Sequence, residues 1–323
     1  MQSHSTKFDQ SPHLDGIDDE TPSDLTRRLA TYSIDAVRTG ISVEKVVVQH
    51  PNFKTALKTV DRLFQLGTEM ATPHGARIVG STGTGKLTLL RYFVRSMPGS
   101  SLFSYGMGVI PLRIPVRPRA GEFIYKLLKV TKYPFLQGTG RQLYQKRPLV
   151  AEALKGVGTR VLWLHQAHNL LAKSKDLPHA IAKDHEVDAI TFFLELIDDC
   201  QLSLVLTGSA ALEGLDGTSM ELAARTPTLE RLSNFSDDNV WMGFVRGFVK
   251  QCSAFDLAFL DDQRVAKYLH MACNGNLRHF KQLITEAVMI AVDQNSLTLN
   301  QKQLAEAFQA VWGCASVRSN PFA

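Results

Sequence analysis

The stretch that most limits what this chain can fold into is "GARIVGSTGTGKLTLLRYF", Gly75 to Phe93. A short apolar run is followed by a Gly-rich loop and then by residues with helical spacing. An apolar run of that length bounded by glycine reads as a buried strand, and the following pattern as a helix closed by "PGS". Gly80-Ser81-Thr82-Gly83-Thr84-Gly85-Lys86 fills the pattern G-x-x-x-x-G-K. Glycines in such a loop let backbone N–H groups curl around phosphate oxygens. The lysine reaches the terminal phosphates, and the helix N-terminus adds positive potential. Strand before and helix after is the context this motif requires, so ATP or ADP is the expected ligand.

The next position departs. A Ser or Thr hydroxyl there normally binds Mg²⁺, and this chain has Leu87. Thr88 is one residue on, about 100° round the helix, and cannot simply replace it. A partner strand ending in Asp-Glu should complete the chemistry. The matching stretch is "RVLWLHQAHNLL", where His165-Gln166 stands in that place. A histidine is a poor ligand for a hard cation that prefers oxygen, and a glutamine cannot accept a proton from water. "ELIDDC" offers Asp198-Asp199, but its helical period places that pair at a helix end rather than a strand end. With Leu87, His165 and Gln166 in the three positions, no catalytic residue and no metal ligand set is assigned. Loss of a general base alone removes about 10²–10⁴ in rate. The reading is a nucleotide binder with weak or absent hydrolysis. Two alternatives stay open: a true ATPase whose Mg²⁺ is held by water and phosphates, and a nucleotide-independent DNA-binding scaffold.

Strand-like and helix-like segments alternate from Gly75 to about Gly208, which predicts an α/β fold with a mainly parallel sheet flanked by helices. "GVIPLRIPV" is strand-like, with prolines that place it at an edge. After about Asn234 only helical patterns occur, the last with a capping box of Asn300 and Gln303. The expected organisation is a disordered tail over 1–22 and a helical lead-in over 23–70, including a short helix capped by Ser23. An α/β phosphate-loop domain follows over 71–235, an all-helical domain over 236–313 and a tail over 314–323.

Charge is unevenly spread. From Arg77 to Arg160 there are fifteen Lys/Arg against two acids, and from Asp184 to Asp238 twelve Asp/Glu against two arginines, around a net charge of +5. A basic third followed by an acidic third suggests a polyanion site or head-to-tail contacts between copies. Arg113, Arg117, Arg119, Lys126, Lys129, Lys132, Arg141, Lys146 and Arg147 are interleaved with Phe123, Tyr125, Tyr133 and Tyr144, and are the candidate DNA-backbone contacts. The four scattered cysteines form no metal pair and fit a reducing compartment as free thiols. No apolar run approaches the roughly 20 residues of a membrane span, and the N-terminus lacks the signature of a secretory signal.

With these motifs in order, the chain resembles the TniB/TnsC-like AAA+ ATPases of transposons over roughly Val48 to Phe308, with departures in both nucleotide motifs (Walker A and Walker B). "HPNFKTAL" is similar to that family's lead-in helix, and Ala167-His168-Asn169-Leu170-Leu171 to the end of its second motif. The resemblance implies a sensor in Thr207 of "LVLTGSAALEGL" and inter-subunit arginines in Arg225 and Arg231 of "RTPTLERLSNF". It implies a second sensor in Arg278 of "CNGNLRHFKQLITEAVMIAV", so the all-helical domain would be a lid. It implies a cytoplasmic protein that forms a ring or filament on duplex DNA, with a transposase and a target-selection protein of the same element as partners. The plainer alternatives are local ion pairs for Arg225 and Arg231, a helix-bridging role for Arg278, and a core position for His165. Trp163, Trp241, Met242 and Trp312 read as core fillers.

Overall fold

The computed structural model describes residues 31–72, 74–99, 103, 107–133, 145–171, 189–313 and 319–323. The expected tail over 1–22, the Ser23 cap, Arg141, Tyr144 and Cys314 lie outside them.

Five strands form one parallel sheet in the order β2-β3-β4-β1-β5. They are β1 (Gly75–Val79), β2 (Val109–Arg113), β3 (Val161–His165), β4 (Ser203–Gly208) and β5 (Thr228–Arg231). Alternate side chains leave opposite faces of each strand, and two separate cores result. Ile78, Val161, Trp163 and Val205 pack on one face against Phe53, Val60 and Leu63 of α2 (Pro51–Leu66) and Leu89 and Phe93 of α3 (Lys86–Arg95). Ile110, Leu112, Leu162, Leu164, Leu204 and Leu206 pack on the other. That face is covered by α4 (Ala120–Val130), α5 (Arg147–Gly156) and α6 (Ala189–Cys200).

Pro51 opens α2 at its first turn, where a missing N–H costs nothing. β2 lies at the sheet edge with Pro111 exposed, as its prolines predict. β5, over "TLER", and the preceding α7 (Met220–Arg225) are not foreseen in the sequence. Asp198-Asp199 falls on helix α6, as the pattern indicates.

Helices α8 (Asn239–Gln251), α9 (Gln263–Cys273), α10 (Leu277–Asp293) and α11 (Gln301–Trp312) share a third core built on Trp241, Phe244, Phe248, Phe280, Leu283, Ile284, Leu304 and Phe308. The capping box of Asn300 and Gln303 is formed. α1 (Ile34–Glu44) packs along α10 and sends Val43 into this third core. Its cap is Ser33, whose Oγ accepts from Ala36 N at 3.1 Å. The two lead-in helices thus serve different bodies, α1 the helical one and α2 the sheet.

Candidate functional site

The site is built where the carboxyl ends of the strands meet α10. Strand register sets Arg113, His165, Thr207, Ile78 and Glu230 side by side across the sheet. Ligands of parallel α/β sheets bind beyond such an edge. The loop from Gly80 to Gly85 leaves β1 there and delivers Lys86 as the first residue of α3. Gly83 and Gly85 adopt φ of 89° and 94°, a backbone region that side chains with a Cβ avoid. Any Cβ on Gly83 would stand 2.2 Å from Asn276 Oδ1.

Lys86 Nζ turns into the loop. It donates to Gly80 O at 2.7 Å, Ser81 O at 2.6 Å and Thr84 Oγ1 at 3.3 Å. Burial, with the Arg278 charge adding to it, lowers the ammonium to about 8. Leu87 is half-exposed at the mouth of the cleft, and Thr88 lines it on the neighbouring face.

The second motif is held by β3 and β4. Thr207 is fully buried, and its Oγ1 lies 3.3 Å from Trp163 Nε1, from His165 Nδ1 and from Leu164 O. One arrangement satisfies all three. The hydroxyl gives its proton to the Leu164 carbonyl and accepts from the indole and from His165 Nδ1–H. His165 Nε2 is then an acceptor facing the cleft. Burial, followed by the charges of Arg113, Lys86, His168 and Arg91, holds His165 below the usual imidazole range, so it is neutral at pH 7. It is neither a fully buried core residue nor an oxygen ligand. Gln166 has φ of 59°, and its Oε1 accepts from Arg113 Nε at 2.8 Å. His168 also lines the cleft, with its Nδ1 3.4 Å from Ser209 N.

The helical body docks onto the loop through Asn276, the position at which the sequence pattern starts this helix but to which it assigns no site role. Its Oδ1 caps α10 by accepting from Arg278 N at 3.1 Å and His279 N at 3.3 Å. Its Nδ2 donates to Thr82 O at 2.8 Å and Asn234 Oδ1 at 3.1 Å. Arg278 N also donates to Gly83 O at 3.2 Å. This brings the Arg278 side chain into the same cleft as Lys86. The cleft measures about 1530 Å³ and runs from the loop to an aromatic end at His50, Phe53, Phe244 and Phe248. His50 is buried there against Phe235 at 4.8 Å, and burial pushes it down to about 4.

The donor set beside the cradle does not fit Mg²⁺. Leu87 offers hydrocarbon, His165 a nitrogen and Gln166 an amide oxygen already bound to Arg113. No cluster of three His, Cys, Asp or Glu suited to a metal occurs among the described residues.

The remaining candidates sit elsewhere. Arg225 pairs with Asp198 at 2.8 Å, and Arg231 makes two bonds to Glu213 at 3.0 and 3.1 Å. Both arginines are committed within the chain, so an inter-subunit role requires exchanging those partners. Arg117, Arg119, Lys129 and Lys132 are exposed around the β2–α4 connection and α4, with Arg113 at the end of β2. Lys126 is paired with Glu122 one helical turn back, Lys146 caps α5, and Arg147 is tied to Glu195 at 2.6 Å and to Asp199. Cys200 and Cys273 are buried free thiols, Cys252 is half-buried, and Trp163 and Trp241 are core residues. No described helix is long and apolar enough to cross a membrane.

Solved structures share this architecture. ORC2 of Aeropyrum pernix, in ADPNP-ADP complexes, is 12% identical with a TM-score of 0.58, over 85% of this chain and 72% of that one. CDC6P of Pyrobaculum aerophilum is 16% identical, also at 0.58, over 82% and 69%. ORC1 of Aeropyrum pernix, in complex with DNA, is 15% identical at 0.57, over 82% and 66%. At these identities the likeness is one of fold, and the fold is AAA+ with a C-terminal helical region. Curated protein sequences give no match. The family model described as "Bacterial TniB protein" matches residues 39–223, more than half of the chain. The chain belongs to the TniB family.

Proposed function

We propose that this protein is an AAA+ regulator of DNA transposition. It binds ATP or ADP in the cleft between the phosphate loop and α10, and hydrolyses it poorly or not at all. It assembles on duplex DNA as a ring or filament and links target selection to a transposase. The observation that carries the nucleotide reading is the junction at Asn276. The loop, Lys86 and Arg278 converge on one cavity because the same side chain caps α10 and grips Thr82 O. Two cations facing one another are stabilised by an anion between them. Similar folds with ADPNP, ADP or DNA in their structures support the same reading. The transposition role rests on the family, and the DNA role on the cations about β2 and α4.

The residues proposed for nucleotide are Gly80 to Lys86, Thr88 and Arg278, with Thr207 acting from behind them through its contact with His165. Those proposed for DNA are Arg113, Arg117, Arg119, Lys129 and Lys132, with Lys126, Lys146, Arg147 and Arg141 from the same basic third, where Lys126 and Arg147 would exchange their partners Glu122, Glu195 and Asp199 for phosphate. The domain boundaries proposed are those read from the sequence. One observation favours the scaffold alternative: Lys86 Nζ already has three oxygen partners in its own loop.

Titrations of ADP and of duplex DNA into wild type, Lys86→Ala and Arg117→Ala/Lys129→Ala separate these readings. We expect ADP to bind wild type and to be lost in Lys86→Ala. We expect DNA binding whose salt slope, about −0.9 per phosphate neutralised, shrinks by roughly two in the double variant. Absence of ADP binding to wild type overturns the nucleotide reading. Absence of DNA binding at low salt overturns the DNA reading.

A further inference from the structure

We propose that the cleft takes its nucleotide as the free polyphosphate anion, with protein cations supplying the charge neutralisation that Mg²⁺ supplies in other phosphate-loop proteins. The inference rests on the cleft being a nucleotide site and adds the chemical form of the ligand.

Arg91 lies four residues beyond Leu87 on α3, one turn on and on the same face, and both line the cleft. A guanidinium therefore stands next along the helix from the place where a hydroxyl would hold the metal. Arg113 is fixed beside the position of the missing carboxylates by its bond to Gln166 Oε1. Lys86 and Arg278 approach from the loop and the helical body. Neither Arg91 nor Arg278 has a side-chain hydrogen bond or ion pair among the described residues. The charges of Arg113, Lys86 and Arg91 all lower the His165 imidazole, so each lies within electrostatic reach of it.

Among the described residues, the carboxylates lining the cleft are Glu44 and Glu286. Glu286 accepts from Tyr32 Oη and lies eight residues along α10 from Arg278, about 12 Å at helical rise. Glu213, on the far side of the loop, is held by two bonds to Arg231. The loop carbonyls of Gly80 and Ser81 are taken by Lys86. A hard divalent cation seeks six or more oxygens, and here it meets guanidinium and ammonium groups instead. A bare polyphosphate meets its complement, including two guanidinium forks suited to phosphate oxygens.

The test is calorimetric titration of ATP and ADP into the full chain, once with EDTA and once with millimolar Mg²⁺. Mg²⁺ removes free ATP from solution, so a site that takes only the free anion shows an apparent Kd raised by the inverse of the free fraction. We expect ATP to bind about tenfold or more tightly in EDTA than in Mg²⁺. We expect Arg91→Ala to weaken binding in EDTA by about tenfold, the scale of one charge-assisted contact. Binding that appears only with Mg²⁺, or that is tighter with it, overturns this inference and leaves nucleotide binding intact. No binding under either condition removes the nucleotide reading and this inference with it.

Discussion

At the scale of single residues, two side chains carry consequences that can be measured. Thr207 Oγ1 satisfies the indole of Trp163 and His165 together, in a fully buried position. Thr207→Val keeps the shape and leaves the indole N–H without its partner. We expect a loss of about 1–3 kcal/mol in urea unfolding. Lys86 is held low, at about 8, by burial and then by Arg278. Unliganded, the folded state releases this proton before the unfolded state does. The penalty for holding the charge is therefore full below pH 8 and relieved as pH rises from about 8 toward the unfolded value near 10.5. A phosphate beside Lys86 favours the charged form, so nucleotide binding takes up a proton above pH 8. ADP affinity should then fall as pH rises past 8, approaching about tenfold per pH unit where the neutral amine no longer binds. Titrations from pH 7 to 9.5 check this, and Lys86→Arg, which stays charged, should flatten the dependence.

At the scale of elements, the junction between α10 and the phosphate loop holds the site together. Asn276→Ala removes the cap of α10 and both bonds from Nδ2. We expect a stability loss of about 1–2 kcal/mol from the cap and a weaker ADP affinity, because Arg278 is placed by the same turn. Thermal melts with and without ADP should show a lower Tm and a smaller ligand-induced shift. This junction also marks where sequence reading stops. The strand–loop–helix at Gly75–Phe93 was legible because an apolar run, a Gly pattern and a helical period are all local signals. The edge position of β2 was legible from its prolines. β5 was not, because "TLER" is three half-buried residues and an exposed arginine with no apolar run. Asn276 joins Thr82 across 194 residues, a contact no local period announces. The same holds for the packing of α1, capped by Ser33, along α10.

At the scale of the whole molecule, the basic and acidic thirds of the sequence resolve into different roles. Part of the chain's positive charge is paired within the chain. Arg147 is bound by Glu195 and Asp199 of the acidic third, and Arg225 and Arg231 by Asp198 and Glu213. The exposed cations we propose for DNA lie about β2 and α4, and those we propose for nucleotide line the cleft. The cradle and the helical body are present, while the positions for metal and water chemistry hold Leu87, His165 and Gln166. On our proposal this architecture binds nucleotide without turning it over. Phosphate release from saturating ATP in Mg²⁺, with and without duplex DNA, is the decisive measurement. We expect release no faster than in Lys86→Ala under either condition. Mg²⁺-dependent turnover well above background that disappears in Lys86→Ala would contradict it.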